Sequence, residues 1–504
     1  MTNSDFFRHW SLAPVKDCLM STRRPLLASS AALLLLGGCA TGPAYRQPDL
    51  SLPTTFTTSE AVAARTAPEA SVDLVEWWHS FNDPLLTSLI ERAVAQNLDL
   101  KQAEARVLQA RAALRFSNAE MLPTGAASGQ AGINYQSLET PIGQVASAFP
   151  GFDRSTGAYE AGLSASWEID LFGGNDAARD AARADWQASE AGAVAARLAV
   201  IAQTADTYVT IRALQERLAI VRAQEAVQAN LVRLVALQFE RGVAAELQLR
   251  QAEGALGQVR AAIPALENQL DTAMNALDVL LGLLPGTTRA ELSAPQPIPT
   301  PPAITTAGGP AALMRRRPDI IAAERSLAAS NARIGAATAE YYPKFSLNGL
   351  IGTAATTSGA LFGGNAVQGS GFLGLRWRLF DFGRIDAEIK LAEGRNAEAL
   401  AAYRQTVLRA SEDVENALSL LLRQEAQAEA LSAAEASLAR AQTSSEAAYN
   451  AGFVSLIEVL DADRRLLETR DGLVQARAGA SRGAIAAFRA LGGGWEGAGA
   501  LAGG

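Results

Sequence analysis

Hydrophobic and polar positions follow two rhythms along this 504-residue chain, and each rhythm occurs twice. Apolar residues recurring at i, i+3 and i+4, the mark of an amphipathic helix, run from about Leu98 to Glu120, Asp176 to Glu240 and Ala245 to Leu281. They return from about 317 to 340, Ile385 to Asn450 and Leu456 to Leu491. Period-two alternation, the mark of a strand with two unlike faces, sets Leu163, Ala165, Trp167 and Ile169 against Ser164, Ser166, Glu168 and Asp170. It sets Leu373, Leu375, Trp377 and Leu379 against Gly374, Arg376 and Arg378. Charges on one face and aliphatics with Trp on the other suit a lipid-facing barrel strand, the alternative being a soluble two-faced sheet. The weaker strands Thr124 to Tyr135 and Lys344 to Thr353 complete two hairpins.

The two halves are a duplicated unit. Pro123 and Pro343 each end a helix, and 343 − 123 = 220. Glu104 and Glu324 share that offset, whereas Trp167 and Trp377, Gly173 and Gly383, and Gly242 and Gly452 lie 210 apart. The offset falls inside the hairpin, so the first loop, around Gln136 to Ser155, is about ten residues longer, where outer-membrane barrels accept insertions. The long helices have roughly 65 residues, ~100 Å, and the returning ones roughly 37, ~55 Å. The helices at 98–120 and 317–340 are therefore expected to stack end to end on the returning helices. The resulting plan is an α+β chain. Its first repeat covers 76–284 with a hairpin at about 124–170, and its second covers 311–491 with a hairpin at about 344–380. A Pro-rich linker at 285–310 separates them, and a Gly/Ala-rich tail at 492–504 reads as frayed.

Composition removes several classes. Hydrophobic residues at 49% exclude wholesale disorder. A net charge of −8 without a dense Lys/Arg run speaks against nucleic acid. Arg23 and Arg24, an apolar run from Leu26 and then Leu36-Gly37-Gly38-Cys39 have the layout of a signal peptide over 1–38, with Met20 as an alternative start. The last four residues resemble a bacterial lipobox, in which the Cys becomes the lipidated first residue; a plain secretory signal with an incidental Cys is the alternative. Cleavage leaves 44 − 4 = 40 basic and 52 − 2 = 50 acidic residues, with Cys39 the sole cysteine and His79 the sole histidine. No HExxH, GxSxG or P-loop occurs, so the chain is read as a non-enzyme. Residues 39–75 read as an extended tether. Trp77 and Trp78 are expected to anchor it by packing rather than to form a binding cage. Asp83 and Pro84 are placed to cap and open a helix.

Two Gly turns close the long helices. Gly242 and Gly452 supply the left-handed residue of a helix end, and Glu458 and Asp461 lie three apart on one face of the returning helix. Taken alone, the pair reads as a solvated acidic face.

The order of these pieces resembles the TolC-like outer-membrane factor family, in its lipid-anchored branch serving RND-type multidrug pumps. The resemblance covers roughly 39–491 and rests on Trp77-Trp78 with Phe81-x-Asp83-Pro84, Trp167-Glu168-Ile169-Asp170-Leu171-Phe172-Gly173, Trp377-Arg378-Leu379-Phe380-Asp381-Phe382-Gly383, and Gly452 with Val459-Leu460-Asp461-Ala462. It implies a homotrimer with a twelve-stranded transmembrane β-barrel, four strands per protomer, continuous with a periplasmic α-helical barrel. It also implies a passive exit duct fed by an inner-membrane RND-type pump through a periplasmic adaptor. Glu458 and Asp461 would line the closed periplasmic gate, Arg241, Gly242, Gly452 and Phe453 would form the turns that dock the adaptor, and Trp167 and Trp377 would sit in the aromatic girdle against outer-membrane lipid. No cofactor is implied beyond N-acyl and S-diacylglycerol lipid at Cys39. The family pattern bonds a tyrosine and an arginine to an aspartate across the tip. Here Tyr449 matches, but Val454 and Gln248 stand at the other two positions, so a Tyr449–Gln248 hydrogen bond is expected in place of an ionic latch. Two other readings stay open: the duct of an ABC-type (type I) secretion system, and a non-pore scaffold lipoprotein or adhesin. Cys39→Ser should abolish metabolic labelling with radioactive palmitate, and continued labelling would refute the anchor assignment.

Overall fold

The computed structural model describes residues 42–50, 53–65, 73–304 and 309–496. The signal segment, Cys39 and residues 497–504 lie outside the described residues. The described chain forms two compact units. One contains residues 123–174 and 341–379; the other contains 42–122, 175–340 and 380–496.

The first unit is a four-stranded antiparallel sheet in chain order: β1 (Thr124–Tyr135), β2 (Ser155–Ile169), β3 (Lys344–Ala355) and β4 (Val367–Arg376). The long first loop carries a short helix, α3 (Pro141–Ser147). Each repeat opens its hairpin directly after a proline, Pro123 or Pro343, whose missing N–H cannot enter a ladder. That also ends β4 early. Lys344 pairs with Arg376, so Trp377 has only Pro343 opposite it, and Trp377 and Leu379 fall outside the strand expected to reach 380. Trp377 instead donates its indole N–H to the Tyr341 carbonyl at 2.9 Å. The register aligns Ile169–Phe345–Leu375 and Trp167–Leu347–Leu373 in apolar rows. Adjacent rows hold Glu168–Ser346 and Ser166–Asn348, with the Ser166 hydroxyl bonded to Asn348 at 2.8 Å. Because successive side chains alternate between faces, one face is apolar and the other mainly polar. Leu350 and Phe372 are apolar intrusions on the polar face.

The second unit is helical. It comprises α1 (Pro84–Gln96), α2 (Leu98–Glu120), α4 (Gly174–Glu240), α5 (Glu246–Leu280), α6 (Pro318–Ala339), α7 (Arg384–Asn450) and α8 (Leu456–Ala490), with the first residue of α4 at the unit boundary. Asp83 caps α1 by accepting from the Leu85 and Leu86 amides, both at 3.0 Å, and also accepts from the Tyr208 hydroxyl of α4 at 2.6 Å. Trp77 stacks on Phe488 at 5.2 Å between centroids, so the Trp pair is a packed anchor.

Single side chains join the short helices to the returning ones. Asn97, 3% exposed, accepts from the first amides of α2 at 2.8 and 3.1 Å, while its own amide donates to the Leu280 carbonyl that ends α5 at 2.9 Å. Arg317, at the start of α6, reaches the Ala490 carbonyl that ends α8 at 3.2 Å and also binds Asp319 and Asp413. Carbonyls left over at one helix end are thus satisfied from the start of the next helix.

Two expectations about the ends are corrected. Residues 492–496 are not frayed: the Gly493 amide bonds Phe488, the Gly494 amide bonds Leu74 at 2.7 Å, and Trp495 is buried with its indole N–H on the Arg316 carbonyl. A Gly-rich run packs here because it lets the backbone approach Leu74 and Trp77 closely. The tether is not wholly extended either. It holds a short helix (Ser59–Ala63) with Val62 buried, and it is strapped to the helices by Asn331 on the Pro43 carbonyl, Tyr45 on Glu324, Thr58 on Glu415 and Arg65 on Glu425.

Helices α7 and α8 pack backbone against backbone at Gly483, where an added Cβ would lie 2.9 Å from the Leu421 nitrogen. Gly254, on α5, has open space at the same position. Gly483→Ala should therefore destabilise the protein by about 1–3 kcal/mol through overpacking, whereas Gly254→Ala should be neutral or stabilising by up to ~1 kcal/mol. Thermal unfolding of the two variants side by side checks this.

Candidate functional site at the helix turns

The two turns that end α4 and α7 are built alike. Gly242 has φ +74° and Gly452 φ +80°, the left-handed backbone that a non-glycine residue resists. In each, the amide three residues past the helix end returns to the carbonyl five residues back: Val243 to Gln238 and Phe453 to Ala448, both at 2.8 Å. The glycine amides bond Phe239 and Tyr449, both at 2.9 Å. This is the Schellman arrangement, which satisfies carbonyls that a helix end would otherwise strand.

Beyond each glycine the chain exposes two large apolar side chains at equivalent places. Val243 and Leu247 on the first turn are 77% and 66% exposed; Phe453 and Ile457 on the second are 84% and 59% exposed. Each pair is separated from its counterpart by the repeat offset of 210. Arg241 is also exposed. Beneath them Val235, Leu249, Ala252 and Leu456 form a small buried cluster that binds the two turns together.

Tyr449 and Gln248 do not meet. Gln248 turns back onto its own helix start, where its Oε1 accepts from the Ala245 amide at 3.0 Å as the returning arm of a cap. Tyr449 instead donates to Gln238 Oε1 on α4 at 3.0 Å. The cross-turn bond thus joins two neutral side chains on the outgoing helices.

The acidic pair is also unlike the bare cluster that the sequence suggests. Asp461 accepts from Arg464 at 2.7 Å and Arg465 at 2.7 Å, three and four residues on along α8. The Arg464 hydrogen bond, with the nearby Arg465 charge, holds its carboxyl below the usual aspartate range. Glu458 is exposed in the first turn of α8. Ser455 and Glu458 have capping-box spacing, yet the Ser455 side chain makes no cap bond. The spacing of Arg464 and Arg465 from Asp461 on one helix was a readable signal of this pairing.

Sequence reasoning passed over a third acid, Asp463. It is 2% exposed, on the buried stripe of Leu456, Val459 and Leu466. A carboxylate on an apolar stripe at helical spacing was the available clue.

In the sheet unit, Trp167 is partly buried opposite Leu347, and Trp377 is 51% exposed.

Comparison with known proteins matches the chain to the family described as outer membrane efflux protein over residues 89–283 and 310–493. It is 32% identical to outer membrane protein OprJ of Pseudomonas aeruginosa over 486 residues, covering 94% of this chain and 97% of that one. It is 30% identical to a probable outer membrane lipoprotein, SilC, of Salmonella typhimurium, covering 93% and 98%. Its fold superposes on the outer-membrane channel OprN with a TM-score of 0.81 at 31% identity, over 91% of this chain and all of that one. With both repeats matched and nearly the whole length aligned, the chain belongs to the outer membrane efflux protein family.

Proposed function

We propose that this protein is the outer-membrane channel subunit of a tripartite efflux system. It acts as a homotrimer and serves as a passive exit duct for drugs or other small molecules delivered by an inner-membrane RND-type pump through a periplasmic adaptor. The observation that carries this reading is the four-stranded sheet with an apolar face and both outer strands unpaired on one side among the described residues. Four strands cannot enclose a pore, and an open edge is not tolerated in hydrocarbon. Three copies supply twelve strands and leave no edge. Trp167 and Trp377, at the Pro-bounded end of the sheet, fit an aromatic girdle at the membrane interface.

The turns supply the adaptor-docking part of the duct. Val243, Leu247, Phe453 and Ile457, with Arg241, Gly242 and Gly452, make a repeated apolar tip suited to the adaptor. Glu458 and Asp461 set the charge of the constriction. Asp461 is largely neutralised by Arg464 and Arg465, which leaves Glu458 as the main cation-attracting ring. Cys39 carries the lipid anchor.

The trimer should survive heating in detergent electrophoresis, and the purified protein should conduct in planar bilayers. A detergent-stable monomer without conductance would sink the duct. Arg464→Ala with Arg465→Ala should unmask Asp461 and increase cation selectivity, read as a shift in reversal potential across a salt gradient. Glu458→Ala with Asp461→Ala should raise conductance and reduce that selectivity. These ion pairs are exposed and contribute little to folding, so unchanged currents in both variants would remove the residues from the constriction.

A further inference from the structure

Asp463 has no part in the reading above, and its surroundings are unusual for a carboxylate. On the α4 side it meets Gln228, itself 3% exposed, whose Nε2 donates to Asp463 Oδ2 at 3.0 Å. The other half of that amide, Gln228 Oε1, is buried with no hydrogen-bond partner among the described residues. On the α7 side stand Gln442 and Glu446, bonded to each other at 2.6 Å. Among the described residues no cation is directed at Asp463: Arg260 is bonded to Glu225, one turn before Gln228, and Arg464 and Arg465 are engaged with Asp461 and Glu468.

An ionised carboxylate only accepts, so it cannot serve the orphaned amide oxygen. A protonated carboxyl is the complement of a primary amide: one oxygen accepts the N–H while the O–H donates to the C=O. We infer that Asp463 is a buried proton-binding site that joins α8 to α4 at the tip: its neutral carboxyl accepts from Gln228 Nε2 and donates its proton to Gln228 Oε1. The proton comes from solvent and returns to it. When it leaves, a negative charge is stranded beside Glu446 and the amide oxygen loses its donor, so the two helices part more readily. The chemistry of Asp463 agrees. Burial pushes its carboxyl up to about 6 from 3.8; the Gln442 side chain partly offsets this, and Glu446 adds repulsion. Because the packed tip binds the proton more tightly than an open one, this contribution is complete below about pH 4 and is lost as pH rises through about 6. The inference stands on these helices alone and does not require that the protein conduct.

The test is amide hydrogen exchange on the full-length protein in detergent, read as protection factors over residues 456–466 at about pH 5 and about pH 7.5. The wild type should lose on the order of tenfold protection between the two. Asp463→Asn presents the same donor and acceptor to Gln228 at every pH, so it should keep the acid-state protection at the higher pH. A flat wild-type profile, or an Asn variant retaining the wild-type slope, would overturn the proposal. Glu446 is half-buried, and Glu446→Gln, which keeps an oxygen to accept from Gln442, gives a second reading should the Asn variant fail to fold. Removing the repulsion should move the protection midpoint to lower pH, and an unmoved midpoint would equally overturn the proposal.

Discussion

The backbone of the two outer strands constrains everything else in this molecule. β1 and β4 each carry a row of N–H and C=O groups that no other strand among the described residues pairs. Water would satisfy such rows, but hydrocarbon cannot, and each bare group there costs several kcal/mol by general transfer measurements. A single chain with an apolar sheet face is therefore chemically incomplete, and self-association is the direct remedy. The duplication makes this economical, because one hairpin design, used twice per chain and repeated by symmetry, generates every contact that the closed structure needs.

Within the helical unit the governing quantity is the distance between axes. Helices α7 and α8 run close together because glycines of α8 face α7, Gly479 against Gln424 and Gly483 against the Leu421 backbone. Such a seam has little slack, so changes in the tip must come from sliding or parting of helices and not from compression of side chains. Near the turns, Tyr449 with Gln238 and Gln228 with Asp463 in its proton-bearing form are neutral pairs, whereas farther from the turns the same helices are joined by ion pairs, Arg217–Asp471, Arg470–Glu435 and Arg482–Asp206. Neutral pairs are weaker than ionic ones, which suits a joint that has to be remade.

The sequence displayed backbone events better than side-chain partnerships. The Pro-bounded strand starts, the left-handed glycines and the Asp83 cap each depend on one residue's own conformational limits, so they were legible from residue type and spacing. The Tyr449 partner was not. Whether its hydroxyl meets Gln238 or Gln248 is decided by the axial stagger of two long helices, which no periodicity reports. Gln248 was further removed from contention by a local cap that competes for the same oxygen. The packed Gly492–Trp495 segment was misread for a related reason: composition rich in glycine signals freedom when a chain is isolated, yet permits the closest contacts when a hydrophobic wall is present.

The N-terminal strap carries one more consequence. Gly42 lies against Gly335 of α6, close enough that a Cβ on Gly42 would stand 2.5 Å from the Gly335 Cα. Cys39 is three residues earlier, and three residues span at most ~11 Å. Under the proposed lipid anchor at Cys39, acyl chains would be held on a short leash to α6. Such an attachment would act as a depth gauge, limiting how far that stretch of α6 can stand from the lipid surface.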